Sequence, residues 1–381
     1  MEAPSIIVQK EVRPSHSPGR LASIDALRGF DMLMIAGGGQ FISTLGGKTG
    51  IPFIDAVAAQ FEHPAWNGFT FYDFIFPLFL FLAGTSLAFS VTGGLAKGIS
   101  QSVIRNKVFK RMLILIALGI LDKNAPMDIF DPAHIRYGSV LGRIGLATFI
   151  SAILYMKFGT NQRLYIAAGI LVAYYLTLVL VPVPGFGAGD LSFEGNLVGW
   201  IDRNFMPGIL KQGTYDELAL LTQFPAICLT IFGTVAGDVL LRESDDAGPK
   251  IGKLFLLASA GIAIGLLWNF VFPVNKHLWS SSFIMLTSGM AFAMLGLFYW
   301  IIDMKGYHKW AFFFRVIGLN SLVIYLAVRF VNFNESSRLL FAGIYKHAPE
   351  NWHEVYNTLG GFVLVWLFLY FLYRQKIFVK V

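Results

Sequence analysis

Long apolar runs alternate with short polar segments along most of the 381-residue chain. Ten runs stand out, at about 28–46, 72–92, 108–122, 139–156, 164–182, 217–241, 254–272, 279–302, 311–333 and 355–373. An α-helix needs ~20 largely apolar residues to cross the ~30 Å hydrocarbon core of a bilayer. The pattern therefore predicts an all-α polytopic membrane protein, a bundle of about ten transmembrane helices. The third run is the weakest, because its unbroken apolar part covers only Met112 to Leu121, between Arg111 and Asp122. A polar tail over 1–20 precedes a single domain over 21–381 and lacks the apolar core of a signal peptide.

Prolines interrupt two runs, Pro77 in the second and Pro225 in the sixth, and predict kinks there. Gly37, Gly38 and Gly39 in the first run predict a close approach by another helix or a ligand. No internal repeat is apparent.

The stretch FEHPAWNGFTFYDFIFPLFLFLAGTS (61–86) joins an unusual polar cluster to an uncharged apolar segment. His63, Trp66, Asn67 and Asp73 stand directly before the run from Phe74 to Phe89. From the residues alone, His63 is either an interfacial polar group or a functional imidazole.

Composition sharpens the class. Hydrophobic residues make up 55% of the chain and charged ones 14%, against roughly 25% charged in soluble domains. The net charge of +7 is then a matter of loops beside membrane spans, not of nucleic acid. The single cysteine, Cys228, excludes an intrachain disulfide and a cysteine metal site. The histidines show no metal-ligand spacing, so no metal is expected.

With ten spans and an inner N-terminus, 18 of the 30 Lys and Arg residues fall inside, eight outside, and four within spans. This bias places both termini in the cytoplasm. It puts His63, the 184–216 loop and the segment PVNKHLW (273–279) on the outer side, and the Arg105–Arg111 cluster on the inner side. Charges within spans, among them Arg28, Asp31, Arg143 and Arg315, are costly in lipid and mark candidate functional groups. Asp25 and Arg28 also have the spacing of a helical i,i+3 pair. A transporter of an amino sugar or small glycan, with His63 as a proton relay, accounts for the same charges.

Several blocks together resemble the heparan-α-glucosaminide N-acetyltransferase family: RLASIDALRGFDMLMI (20–35), HPAWNGFTFYDFIFPLFLFLAG (63–84), VLGRIGLATF (140–149) and VPVPGFGAGDLSFEGNLVGWIDR (181–203). The likeness continues through FVFPVNKHLWSSSF (270–283), GLNSLVIY (318–325) and RQKIF (374–378). It implies transfer of acetyl from cytosolic acetyl-CoA, as co-substrate, to the amine of glucosamine or a glucosamine-containing glycan across the membrane. The chain is similar to a bacterial, catalytic-core form, which implies the inner membrane. The family histidine of the H-x-x-W-N-G block falls on His63. The family's animal members carry an asparagine two residues before the glycine run, where this chain has Ile35.

On this resemblance His63 is the catalytic base or nucleophile; the chemistry of acyl transfer makes Asn67, an amide close by, a candidate hydrogen-bond donor to the oxyanion. Trp66, Asp73, Arg143, Asn196, Asp202, Glu217, Asn275, Lys276 and Trp279 are candidates for holding the acceptor. Arg28, Arg105, Lys107, Lys110, Arg111 and Arg315 are candidates for the coenzyme's phosphates. A polysaccharide O-acetyltransferase stays open beside these readings. Membrane lipid surrounds the bundle, and a second copy of the chain stays open as a partner.

Overall fold

The computed structural model describes residues 21–242 and 246–379; the tail expected over 1–20 lies outside them. The described residues fold into helices and connecting turns. Their only β-pairing is two isolated bridges, Arg136 with Gly208 and Val183 with Gly187.

The first apolar run is broken. Helix α1 (Ala22–Leu33) passes through a π-helical turn (Met34–Gly38) into α2 (Gly39–Ser43). Gly37 takes φ 126°, a conformation that glycine adopts without strain. The expected close approach is made by an aromatic ring. A Cβ on Gly39 would lie 2.7 Å from the ring of Tyr72.

A short helix α3 (Pro52–Ala59) leads to the His63 loop, and α4 (Phe71–Ala96) follows it. The Asp73 carboxylate accepts the Thr70 backbone N–H at 3.1 Å, so the carboxylate in the first turn helps define where α4 begins. Pro77 lies within this unbroken helix. Next come α5 (Gln101–Asn124), α6 (Val140–Lys157) and α7 (Thr160–Leu180). Helix α8 (Leu197–Phe205) is short and capped by Asn196; α9 (Gln223–Leu241) starts later than the apolar run that predicts it. Pro225 consequently sits in the first turn of α9, where no intrahelical bond is lost and no kink is needed.

The chain continues through α10 (Ala247–Trp268), α11 (Ser281–Phe298) with a π-helical extension to Met304, and α12 (Ala311–Gly318). It ends with α13 (Ser321–Phe330), the short α14 (Phe333–Leu340) and α15 (Ala342–Tyr345), and α16 (His353–Arg374). Helices α12 and α13 bend by 71° at the break between them. Asn320 at that break donates to the Ile377 carbonyl at 2.9 Å and accepts from the Val379 N–H at 3.1 Å. A non-helical backbone inside a bundle is tolerated where such groups satisfy it.

Among the described residues, seven helices are long and apolar enough to cross a membrane, or up to eight if the bent α12–α13 pair counts as one span. That is fewer than the ten expected. Helix α1 is too short once broken from α2, and α5, with 24 residues, carries too much charge in its first half. Helix α9 is central, with 83% of its apolar window buried, whereas α10 is peripheral at 22%. Bare glycines set the closest contacts. A Cβ on Gly233 would meet the Phe81 carbonyl at 1.9 Å, and one on Gly29 the Phe314 carbonyl at 1.8 Å.

Candidate active site

The loop before α4 folds back on the helix it precedes. His63 Nδ1 lies 2.6 Å from Asp73 Oδ1, with Asp73 buried and His63 half exposed. A carboxylate can only accept, so Nδ1 donates the proton and the exposed Nε2 carries the lone pair. The imidazole stacks on Tyr72, ring centroids 5.2 Å apart. Lys276 arrives from the 273–280 loop. Its Nζ is 3.2 Å from Asp73 Oδ1 and 3.4 and 3.3 Å from Nδ1 and Nε2 of His63.

The same loop fixes Asn67. The Asn275 side-chain amide donates to Asn67 Oδ1 at 3.0 Å, leaving the exposed Asn67 Nδ2 free to donate outward. Asn275 is itself buried and accepts the Leu278 N–H at 2.8 Å, so it serves as a brace.

Trp66 donates to the Leu191 carbonyl at 2.9 Å and stacks on His277, centroids 5.3 Å apart at 8°. His277 Nδ1 lies 2.7 Å from the Tyr215 hydroxyl. Glu217 closes this side: Lys211 Nζ contacts Oε1 at 2.5 Å, and His277 Nδ1 lies 3.9 Å from Oε2. Burial alone would raise the Glu217 carboxyl, but Lys211, Lys276 and His277 together hold it below its ordinary value. Burial draws Lys276 down, opposed by Asp73 and Glu217, and draws His277 down, opposed by Glu217. Burial likewise raises the Tyr215 hydroxyl.

The structure therefore brings His63, Asn67, Asp73, Lys276, Trp66 and Glu217 to one end of the bundle. It buries the other acceptor candidates. Asn196 accepts the Gly199 N–H at 2.7 Å and donates to the Ser192 and Phe193 carbonyls, so its amide is consumed in capping α8. Asp202 accepts the Asp216 and Leu220 N–H groups, and burial pushes its carboxyl up to about 6. Trp279 is 1% exposed and lies under the Arg143 guanidinium, 4.3 Å from its ring centroid, so it offers no open platform. Arg143 is buried and donates to the Glu217 carbonyl at 2.7 Å and to Thr222 at 2.5 Å. It ties the turn before α9 to the 273–280 loop, a structural task that its place in an apolar run does not reveal.

Sequence reasoning missed His277, Tyr215, Lys211 and Tyr72 as neighbours of the site. It also missed a buried pair behind it. Arg136 Nε and Nη2 reach the two Asp216 oxygens at 2.6 and 2.8 Å. Removing the guanidinium would leave a buried carboxylate unpaired, which costs about 3–5 kcal/mol. Arg136→Ala should therefore melt well below the native protein in detergent; an unchanged thermal transition would contradict that role.

The candidates for coenzyme phosphates lie elsewhere. Arg105, Lys107, Lys110 and Arg111 are exposed on the first half of α5. Arg28 lies 3.8 Å from Asp25 and also donates to Ser86. The Arg315 Nε is buried without a hydrogen-bond partner. Among the described residues, no group of three or more His, Cys, Asp or Glu is placed to hold a metal ion.

Comparison with known proteins adds the family. The family description “Heparan-alpha-glucosaminide N-acetyltransferase, catalytic” matches residues 20–268. The chain is 28% identical to heparan-alpha-glucosaminide N-acetyltransferase of Homo sapiens, over 97% of this chain and 61% of that protein. It is 27% identical to the Mus musculus protein of the same name, over 98% of this chain and 62% of that one. The chain thus spans a little over three fifths of the length of these curated relatives. The matched region includes His63, Asn67 and Asp73 and extends through α10, and by that match the chain belongs to the heparan-alpha-glucosaminide N-acetyltransferase catalytic family.

Proposed function

We propose that this protein passes an acetyl group from cytosolic acetyl-CoA to the amine of glucosamine, or of a glycan carrying it, on the opposite side of a bacterial inner membrane. The observation that carries this reading is the His63–Asp73 contact at 2.6 Å, in a chain of an N-acetyltransferase family. Ten crossings complete the proposed topology: the seven apolar helices, the bent α12–α13 pair, α1 with α2, and α5. Both termini then lie in the cytoplasm and His63 faces outward.

The chemistry follows from the site. The acceptor amine must be neutral when its nitrogen attacks the thioester carbonyl carbon. His63 Nε2 takes a proton from that nitrogen, while Asp73 holds the Nδ1–H tautomer in place. The carbonyl oxygen becomes an oxyanion, for which Asn67 Nδ2 and Lys276 Nζ are the nearby donors. The C–S bond then breaks, and the thiolate leaves with a proton as coenzyme A. In the alternative sequence His63 Nε2 attacks first, and the acetyl-imidazole passes its acyl group to the amine. Glu217 and Trp66 are assigned here to the sugar, the carboxylate drawing in the ammonium form before it loses its proton.

Two measurements address this reading. A mass-spectrometric screen of amino sugars with acetyl-CoA should show a product heavier by one acetyl group; sugar recovered only unchanged would support transport instead. Alanine at Arg28, Arg105, Lys107, Lys110, Arg111 or Arg315 should weaken acetyl-CoA binding wherever a phosphate is held, by about 1.5–3 kcal/mol per charge-assisted contact. Unchanged affinity in all six single variants would remove these residues from the donor site.

A further inference from the structure

His277 stands where three segments of the site meet, yet it has no part in the transfer chemistry. It follows Lys276 in the 273–280 loop. Its ring stacks on Trp66 from the loop before α4, centroids 5.3 Å apart at 8°. Its Nδ1 lies 2.7 Å from the Tyr215 hydroxyl and 3.9 Å from Glu217 Oε2, both in the turn before α9. The carbonyl of Pro64, the residue after His63, faces the ring as well and favours a proton on it.

These partners define the neutral ring. Tyr215 is buried, and its hydroxyl has His277 Nδ1 as its hydrogen-bond partner among the described residues. The O–H can donate to Nδ1, while a proline carbonyl only accepts, so the neutral ring carries its proton on Nε2. Burial draws the ring toward this neutral form. Glu217 and Pro64 oppose burial, and Lys276 and Lys211 reinforce it.

The charges around the ring are closely balanced. Glu217 faces Lys211 Nζ at 2.5 Å and feels Lys276, whose own Nζ is 3.2 Å from Asp73. With His277 neutral, the two carboxylates offset the two lysines. A proton on His277 leaves the cluster with a net positive charge. An ammonium group arriving at Glu217 is then a fourth cation around two carboxylates, in a partly buried site where repulsion is screened less than at an open surface. The proton also makes Nδ1 a donor, and Glu217 Oε2 is a ready acceptor for it.

We infer that His277 is a specificity-determining residue: as a neutral ring it admits a sugar that carries an ammonium group, and as an imidazolium it shuts that sugar out. This inference rests on the assignment of Glu217 to the acceptor. Burial holds His277 below the ordinary histidine value of about 6.5, so the ring is neutral at pH 7 and exclusion sets in on the acid side of that value.

The test reads acceptor binding without transfer. Full-length His63→Ala protein in detergent, in which His63 no longer titrates, is mixed with radiolabelled glucosamine at pH 7.0 and at pH 5.0. The same measurement is made with His277→Gln added. Glutamine offers an N–H to Pro64 and an oxygen to Tyr215 but takes up no proton. Glu217 is held below its ordinary value, so it stays ionised at the lower pH. Asp202, pushed up to about 6, titrates in both proteins and cancels from the comparison. The Kd for glucosamine should rise on acidification about five-fold more with His277 in place than with His277→Gln. Equal rises in the two proteins, or no rise in either, overturn the inference and leave the acetyl-transfer reading standing. Absence of glucosamine binding at both pH values removes the acceptor assignment together with the inference. His277→Asn gives the same readout if His277→Gln does not fold.

Discussion

His63→Ala should insert and fold as the native protein does and lose nearly all acetyl transfer to glucosamine. The imidazole presents its Nε2 lone pair on the exposed side, with Lys276 Nζ 3.3 Å away, and Asp73 fixes its tautomer from 2.6 Å. Losing a positioned general base costs about 10²–10⁴-fold in rate, and losing a covalent route costs more. His63→Asn retains similar size and a hydrogen bond to Asp73, so it separates packing from proton chemistry. Near-native turnover in either variant at saturating acetyl-CoA would make His63 a packing residue. Labelled acetyl-CoA distinguishes the two routes. Label retained covalently by the native protein and absent from His63→Ala indicates acetyl-histidine; no retained label indicates direct transfer.

Asp73→Asn should be the second most damaging change. An amide at this position can present its NH₂ to the imidazole and stabilise the wrong tautomer, with the lone pair on Nδ1. The loss expected from a base held in the wrong tautomer is about 10²–10⁴-fold in kcat. The amide oxygen can still accept the Thr70 N–H, so the start of α4 and the melting temperature should change little. A large fall in stability with kcat preserved would make Asp73 a helix cap and nothing more. Thermal unfolding and steady-state kinetics on the same preparation decide between them.

Much of the helical arrangement was legible because lipid forces backbone polar groups to pair within each segment, so apolar runs read directly as helices. The breaks were not. Met34–Gly38 and the α12–α13 bend lie within apolar runs, where hydropathy registers composition and not backbone direction. The glycine run gave a local signal for the first break, whereas the 71° bend depends on Asn320 gripping the chain near residues 377–379, more than fifty positions away.

The site was legible only in its local part. His63, Asn67 and Asp73 lie within eleven residues of one another, and a carboxylate in the first turn of a helix can reach the loop before it. Lys276 comes from 213 positions beyond His63, and no periodicity foretells that contact. Polarity alone also misplaced several side chains. Asn196, Asp202 and Asn275 lie outside the long apolar helices, yet their polar atoms satisfy buried backbone or a neighbouring amide. Trp279 follows the same loop inward to pack under Arg143.

Sealed vesicles containing the purified protein in one known orientation provide the most direct test of transfer across the membrane. Labelled acetyl-CoA is confined to the side that the proposed topology assigns to both termini, and glucosamine is added only to the other. The account predicts labelled N-acetylglucosamine on the side of the acceptor, none with His63→Ala, and unlabelled sugar remaining where it was added. Labelled product formed only when donor and acceptor share a side, or sugar carried across without acetylation, would contradict it.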